Sequence, residues 1–383
     1  MTLAQRAQRA QRVRRVRRAL PAGLREDLVA ALPGWVVARL LVAVSWAVAV
    51  VSSEELRGGA RTVQLAQGLF AWDGAFYRDI AERGYGDAAG EALRFFPLFP
   101  LLGRGLGTLL GGNEALALVL VANGAALVAA TLVHRLTRFE TDDRVVAARA
   151  AWLTSLFPAA FVMVWGYAEP LLVALGAATF LGLRRGRWWS AAALGLAAGL
   201  VRPIGAVLAL PALIEAMRSR GSSPLLPRVA AVAGPLGGLG AFLVWAEVAM
   251  GDGLAPLRLQ TEFRGDVVDP LSRLARGVGD LVGDERLGDG LHVPFAVAFI
   301  VLAVVVARRL PASYGAFTVA VVVVAVSADN LNSLERYGLN AFPLVMALAM
   351  VGRRPWLDRS MLVCSGAGLV ALGTLAWVGA YVP

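Results

Sequence analysis

Several residue types are scarce in this sequence, and each scarcity narrows what the protein is. The chain contains no lysine, so all of its 37 Lys-plus-Arg positions are arginine. Its single cysteine, Cys364, cannot form a disulfide within the chain. The only two histidines, His134 and His292, lie far apart, so a His/Cys metal site is not expected.

What the chain has in abundance is apolar sequence. Hydrophobic residues make up 58% of it, the mean hydropathy is +0.64, and apolar runs of about 20 residues recur throughout. The runs are continuous rather than alternating, which favours helices over a barrel, and only these two structures satisfy their own backbone in lipid. The sequence therefore predicts an all-α polytopic integral membrane protein.

The formal net charge of +10 is interpreted as a signal of topology. Arginine collects in the cytoplasmic loops of membrane proteins. No soluble module with interleaved basic and aromatic residues is expected, so a nucleic-acid partner is not predicted. Residues 1–32 are predicted to form a basic cytoplasmic segment on anionic headgroups, not a cleavable signal peptide. Residues 33–383 are predicted to form a single transmembrane domain.

Apolar runs and arginine clusters together predict about eleven spans with a cytoplasmic N-terminus. Nine are expected near 33–51, 115–133, 147–166, 169–183, 229–250, 291–307, 311–327, 338–351 and 360–381. Two more share an apolar run that is interrupted by RPIG at 202–205. This arrangement leaves large outer loops at about 52–114 and 251–290, the first with amphipathic juxtamembrane helices, and the unexpected polar residues fall on the outer face.

The first outer loop contains AWDGAFYRDIAERGY at 71–85. Placed on a helix, Trp72 and Phe76 share one arc, and Glu82 lies on the solvated face. Asp73 falls on the side that faces the membrane body. Its carboxylate has two interpretations, which are an N-cap of the helix and a partly buried general base at the membrane surface.

WDGAFYRDIAERGY, followed by FFPLFPLL at 95–102, resembles the first outer loop of the GPI mannosyltransferase II (PIG-V-type) family and its bacterial relatives. These are polytopic GT-C glycosyltransferases. Weaker similarity extends in the right order to FPAAFVMVWGYAEPLL, GLVRPIGAVLALP, QTEFRG and SLERYGLNAFPL. One departure is that Gly74 and Ala75 are small where relatives can carry bulkier or polar side chains, which bears on the identity of the acceptor.

This resemblance implies a GT-C-type fold and an activity. The implied reaction moves mannose from a polyprenyl-phosphate-mannose donor to a lipid-linked or glycolipid acceptor on the extracytoplasmic face of the cell membrane. Inversion at the anomeric carbon is implied, without a metal or a cofactor, and Asp73 would be the catalytic carboxylate.

Such a transfer also needs cations beside the leaving phosphate, and arginine binds phosphate oxygens with two parallel hydrogen bonds. The candidates are Arg94, Arg202 and Arg336. Arg202 is the strongest, because it interrupts an apolar run directly before Pro203. Its alternative interpretation is an arginine that snorkels at the end of a span.

Further residues are candidates for substrate binding, namely Trp72, Tyr77, Tyr167, Glu169, Glu262, Arg264 and Tyr337. Trp72 and Tyr77 have an alternative interpretation as aromatic anchors at headgroup level. Glu169 has two alternatives, a carboxylate favoured by the start of a helix and a partner for Arg202.

Other functions are weighed against this one. A polyprenyl-phosphate-dependent transferase of another sugar, such as a pentose, is poorly distinguished from a mannosyltransferase by sequence alone. A transporter or lipid flippase predicts symmetry between the halves of the chain, and no internal repeat is apparent. A structural scaffold leaves the polar outer loops and Arg202 without a role.

Overall fold

The computed structural model of the protein describes residues 23–57, 61–86, 90–283, 288–352 and 355–383. Within these ranges the chain is helical, and pairing of extended chain is limited to an isolated bridge between Val267 and Ala328. Most of the predicted basic segment at 1–32 lies outside the described residues. Its last part belongs to the first long helix, which begins at Leu24.

The described residues form seventeen α-helices. They are α1 (Leu24–Arg57), α2 (Val63–Gln67), α3 (Asp73–Arg83), α4 (Leu98–Leu109), α5 (Glu114–Thr141), α6 (Arg144–Leu156), α7 (Glu169–Arg184), α8 (Trp188–Val201), α9 (Ala209–Arg218), α10 (Leu225–Met250), α11 (Ala255–Arg264), α12 (Pro270–Val282), α13 (Val293–Arg309), α14 (Ala312–Val326), α15 (Leu334–Asn340), α16 (Pro343–Val351) and α17 (Pro355–Trp377). Short 3₁₀ turns are found at Gly68–Phe70, Gly90–Arg94, Ala160–Met163, Pro203–Leu208 and Asp289–His292.

Five helices among the described residues are long and apolar enough to cross a membrane. They are Leu24–Glu55, Glu114–Thr141, Leu225–Met250, Asp289–Arg309 and Pro355–Trp377. The prediction of an all-helical, multi-pass membrane protein is therefore confirmed. The predicted count of eleven spans is not confirmed.

The difference has a physical cause in the remaining predicted spans. They form helices of only 9 to 16 residues, namely α6, α7, α8, α9, α14 and α16. Pro158 follows α6 closely and Pro203 follows α8, and proline favours the end of a helix because it lacks a backbone N–H to donate. Much of α7 and α16 is buried. Backbone that is enclosed by protein rather than lipid does not need a helix of full bilayer length.

A polar contact inside the bundle holds the break after α6. Arg39, within α1, donates through Nε to Asn123 Oδ1 at 2.9 Å and through Nη2 to the carbonyl of Met163 at 3.1 Å. Asn123 donates in turn to the carbonyl of Val164 at 2.9 Å. These side chains satisfy carbonyl groups that the interrupted helix leaves free. The segment that leads into α7 is thereby fixed.

Glycine allows α8 and α10 to pack very closely. A Cβ added at Gly199 would lie 2.2 Å from the carbonyl oxygen of Pro235, and one at Gly238 would lie 2.0 Å from that of Leu196. No larger residue fits at either position without moving a helix. Because α8 ends one residue before Arg202, this contact determines where Arg202 lies.

The first outer loop packs α3 against α4 and α5. The helix runs from Asp73 to Arg83, close to the sequence prediction. Tyr77 and Ile80 are on its buried face. Arg78 and Glu82 form an exposed ion pair at 2.6 Å, as the helical period predicts for its solvated face.

Candidate active site

A cavity of about 630 Å³ lies where the two outer loops meet the chain around α15. Among the residues predicted to form a site, its lining includes Trp72, Asp73, Tyr77, Arg94, Arg202, Arg264, Arg336 and Tyr337. The fold thus brings together side chains from four separate parts of the sequence.

The other three predicted residues lie elsewhere. Tyr167 and Glu169 are completely buried and touch residues of the lining rather than the cavity itself. The side chain of Glu262 is 56% exposed and lies 3.7 Å from Arg258 one turn earlier in α11. The structure therefore places Glu262 away from the cavity, because α11 presents Gln260, Phe263 and Arg264 to it instead.

Asp73 is the first residue of α3, but its carboxylate does not cap the helix. The N-cap position belongs to Trp72, which has a φ of 58°, and no side chain caps the helix there. Asp73 Oδ2 instead accepts a hydrogen bond from Arg336 Nη1 at 2.7 Å, and Oδ1 lies 3.6 Å from Arg94 Nη2. The N-cap interpretation is therefore wrong, and the carboxylate faces the cavity with 19% of its side chain exposed.

Tyr167 fixes the backbone at the start of α3. Its hydroxyl donates to the carbonyl of Ala71 at 3.1 Å and accepts a hydrogen bond from the Asp73 N–H at 3.2 Å. Two backbone groups on either side of Trp72 are thus held by one buried side chain. Tyr167 therefore positions Asp73 through its backbone.

Glu169 lies beneath the arginines at the first residue of α7. Its Oε1 accepts hydrogen bonds from Arg202 Nη1 and from Arg336 Nη1, the latter at 3.1 Å. Its Oε2 has no hydrogen-bond partner among the described residues. The sequence left open whether Glu169 pairs with Arg202, and the structure brings the two together because α8 ends at Val201 and Arg202 is extended.

Arg336 connects the two carboxylates. Besides its bonds to Asp73 and Glu169, it donates through Nη2 to Ser333 Oγ at 2.7 Å. Ser333 in turn donates to the carbonyl of Pro383 at 2.7 Å. The guanidinium is therefore held on two sides, while it still lines the cavity.

Two further arginines are held by aromatic rings. The Arg94 guanidinium lies 4.6 Å from the ring centre of Phe95 and 3.7 Å from that of Phe263. Arg264 lies 4.5 Å from the ring centre of Tyr337 and donates to its hydroxyl at 2.9 Å. Cation–π contacts of this kind orient a guanidinium without neutralising its charge.

The charges around the cavity do not balance. The lining contains five arginines and three acids, with Glu169 buried beneath them. The arginines are Arg83, Arg94, Arg202, Arg264 and Arg336, and the acids are Asp73, Asp79 and Glu91. At the rim, Asp79 pairs with Arg83, and Glu91 is exposed to solvent. The excess of positive charge favours an anionic ligand, and arginine suits the oxygens of a phosphate.

The arginines also determine the protonation state of Asp73. Burial would raise the pKa of its carboxyl group, but the positive charges of Arg336, Arg94 and Arg202 outweigh burial and hold the pKa below its ordinary value. Burial raises the pKa of Tyr77 to about 12. At neutral pH the cavity therefore contains an ionised Asp73 and a neutral Tyr77.

Another part of the lining carries no charge. It is formed by Gln64 and Gln67 of α2, by Asn332 and by Trp72, whose Nε1 donates to the carbonyl of Ala376 at 3.0 Å. The three amide side chains make no hydrogen bond with other described residues. Free amide groups beside a fixed aromatic ring suit a neutral ligand rich in hydroxyl groups.

Sequence reasoning missed these amide residues, and also Gln260 and Phe263. Gln260 Nε2 donates to the carbonyl of Arg94 at 2.7 Å, so it links α11 to the arginine that Phe263 covers. Both residues lie in QTEFRG, one of the weaker fragments of the resemblance, which was a usable signal. No spacing or motif marks Gln64 or Gln67.

Both histidines pair with single carboxylates. His134 Nδ1 lies 2.8 Å from Asp27, and His292 Nδ1 lies 2.9 Å from Glu335. Within the part of the chain that the structure describes, no group of three or more His, Cys, Asp or Glu side chains is arranged to hold a metal ion.

Comparisons with known proteins found similarity in structure but none in sequence families or curated proteins. No model of a known protein family matches the chain. No curated protein matches it. Its structure is similar to that of the archaeal oligosaccharyltransferase AglB from Archaeoglobus fulgidus, in complex with an inhibitory peptide and a dolichol-phosphate. That match has 12% identity and a TM-score of 0.40, and it covers 89% of this chain and 56% of the other.

The chain thus spans just over half the length of that oligosaccharyltransferase chain. A structural similarity this weak does not indicate the activity of this chain. The resemblance to the PIG-V-type family therefore stays a prediction, and function is inferred from the geometry of the cavity.

Proposed function

We propose that this protein is a membrane glycosyltransferase of GT-C type. It transfers a sugar, which we expect to be mannose, from a polyprenyl-phosphate donor to a lipid-linked or glycolipid acceptor. The observation that carries the proposal is the position of Asp73, an ionised carboxylate that faces the cavity beside an excess of arginine. A base next to an anion site is what a single displacement at a sugar phosphate requires.

In the proposed reaction, the oxygen of an acceptor hydroxyl attacks the anomeric carbon of the donor. Asp73 takes the hydroxyl proton while the new C–O bond forms. The bond between the anomeric carbon and the phosphate oxygen breaks on the opposite face, which inverts the configuration. Its electron pair leaves with the polyprenyl phosphate, and the arginines stabilise the negative charge that develops there.

Arg94 and Arg202 are the proposed main contacts of the donor phosphate. Arg94 lies 3.6 Å from Asp73 and makes no hydrogen bond to it, so its donors remain available to a phosphate. Once Arg94 binds phosphate, it stabilises the Asp73 carboxylate less, and the pKa of Asp73 rises. Asp73 then becomes a stronger base when the donor is present. Arg336 keeps the carboxylate in place.

The proposed acceptor site is the uncharged part of the lining. Gln64, Gln67 and Asn332 would hydrogen-bond to acceptor hydroxyl groups, and Trp72 would offer its ring face to a sugar or to the lipid part of the acceptor. Tyr77 and Tyr337 complete the wall near Asp73. We propose that this whole side of the protein is extracytoplasmic, because arginine clusters follow α7 and α13 at the other ends of those helices.

Transfer in vitro tests the proposal directly. Purified protein would receive polyprenyl-phosphate-mannose, or a polyprenyl-phosphate-pentose in parallel, together with candidate glycolipid acceptors. We expect D73N and D73A to lower turnover by about 10²- to 10⁴-fold, the usual contribution of a general base. The matched control is E82Q, because Glu82 lies on the same helix but on its exposed face.

Two outcomes would change the proposal. Turnover that is equal in wild type, D73N and D73A contradicts the role of Asp73. Transfer from the pentose donor alone supports the alternative sugar and rejects mannose, while leaving the chemistry of the site unchanged.

A further inference from the structure

The end of the bundle opposite the cavity holds arginines that the proposed function does not use. α7 contains 16 residues, beginning at Glu169 beneath the cavity and ending at Arg184. At 1.5 Å per residue, its two ends lie about 24 Å apart. Arg185 and Arg187 follow α7 directly, and Arg135 belongs to the last two turns of α5.

Arg135 and Arg187 both lie close enough to Arg185 for their charges to act on it. Burial lowers the pKa of Arg185, the positive charges of Arg135 and Arg187 lower it further, and Asp27 acts in the opposite direction. Like charges gathered in this way repel one another unless an anion lies among them.

The same arginines have unused hydrogen-bond donors. Arg135 Nε and Arg185 Nη2 are buried and have no hydrogen-bond partner among the described residues. Arg135 Nε lies 3.5 Å from the nearest oxygen of Asp27. Buried donors without a partner are unfavourable, so each of these two points to a missing acceptor.

The neighbouring residue Arg184 shows what a satisfied arginine looks like at this end. It lies 2.7 Å from Glu140 and 3.2 Å from Glu215, and both carboxylates are nearly buried. One arginine is thus paired with two carboxylates. No comparable pair of carboxylates is available to Arg135, Arg185 and Arg187 within the described part of the chain.

The acids that do lie near are already engaged. Asp27 is 2.8 Å from His134 as well as 3.5 Å from Arg135. Glu26 is 2.8 Å from Arg138 and 3.5 Å from Arg144. The group formed by Arg135, Arg185 and Arg187 therefore keeps an excess of positive charge.

We propose that Arg135, Arg185 and Arg187 bind the phosphate headgroup of an anionic phospholipid. Guanidinium groups match phosphate oxygens in geometry as well as in charge. The three residues lie at the ends of helices in a protein that crosses the membrane, so headgroups surround them at high local concentration. A lipid is for that reason the expected occupant, rather than a soluble anion. This site does not depend on the proposed transferase activity.

Native mass spectrometry of the full chain in uncharged detergent tests the site, with phosphatidylglycerol and phosphatidylcholine as probes. We expect the wild-type protein to retain phosphatidylglycerol in preference to phosphatidylcholine. An arginine near an anionic lipid contributes about 1 kcal/mol, so R135Q and R185Q should each weaken retention roughly fivefold. R218Q is the matched control, because Arg218 is an exposed arginine in the last turn of α9 without an ion pair among the described residues.

The other possible outcomes contradict either the existence of the site or the identity of its ligand. If R218Q weakens phosphatidylglycerol retention as much as R135Q and R185Q do, the lipid is held by general electrostatic attraction and there is no defined site. Equal retention of the two lipids by wild type would also contradict a defined site. Displacement of the lipid by millimolar inorganic phosphate overturns the assignment to a headgroup. Thermal unfolding checks the fold of each variant. If R135Q does not fold, R185Q and R187Q carry the test, since both residues lie in the turn after α7.

Discussion

Among single residues, the acids of α3 have the same chemistry but different surroundings. Glu82 pairs with Arg78 in the open, where such a pair contributes little to stability. Asp73 is bound to Arg336 and lies near Arg94, in a partly enclosed cavity. What distinguishes Asp73 therefore comes from residues far away in the sequence.

The pH dependence of transfer should reflect those surroundings. Because the arginines hold the pKa of Asp73 below the ordinary carboxyl value of about 3.9, the proposed base stays ionised as the pH falls. We expect protonation of Asp73 not to lower kcat/KM between about pH 8 and about pH 5, and the acid limb of the profile to lie at still lower pH. In R94Q one of the charges that lower the pKa is absent, so the limb should move to higher pH.

The measurement is the pH profile of kcat/KM, normalised to each variant's own maximum. R258Q serves as the control, because Arg258 is an exposed arginine of α11 outside the cavity. Acid limbs at the same pH in wild type and R94Q would show that Arg94 does not influence the group that limits the rate.

At the scale of helices, the cavity depends on how closely α8 and α10 approach. The carbonyl of Leu196 lies so near Gly238 that no side chain fits between the helices. Gly237, the preceding residue, has open space around the position of a Cβ. Two adjacent glycines on one helix thus differ in what they tolerate.

We expect G238A to destabilise the protein by about 1–3 kcal/mol through overpacking. It should also weaken donor binding, because pushing α8 away from α10 moves Arg202. The matched variant G237A should unfold at the same temperature as wild type or slightly higher, since alanine favours a helix. Thermal unfolding and the KM for the donor are the readouts, and equal behaviour of the two variants would contradict the packing explanation.

Helices could be predicted from the sequence where their ends are encoded locally. The start of α3 and the break at Arg202 were both predicted, since Pro203 and the amphipathic period of α3 act within a few residues. The lengths of α6, α7 and α14 could not be predicted in this way. An apolar run has the same composition whether lipid or protein surrounds it.

For the whole molecule, the proposed orientation leads to a labelling prediction. The cavity and the loop between α9 and α10 should lie on opposite sides of the membrane. In a C364A background, we expect a membrane-impermeant thiol reagent to label E82C in intact cells. S222C should react only after the membrane is opened. Both positions are exposed in the structure, and labelling of both from one side would reject the proposed topology.

The sequence by itself determined that this is a helical membrane protein, because composition and continuous apolar runs act additively along the chain. It also indicated most of the charged and aromatic residues of the cavity, because ionisable groups next to apolar runs are costly and stand out. Glu262 differs from the other predicted residues of α11, because it lies on the face of the helix away from the cavity.

Only the tertiary structure decided which of these residues meet. Asp73 and Arg336 are 263 positions apart, and their hydrogen bond exists because α3 and α15 pack at the same end of the bundle. The amide residues of α2 and Asn332 carry no charge, so nothing in the sequence made them conspicuous. Contacts across such distances depend on how all the helices pack together, and no local pattern encodes that packing.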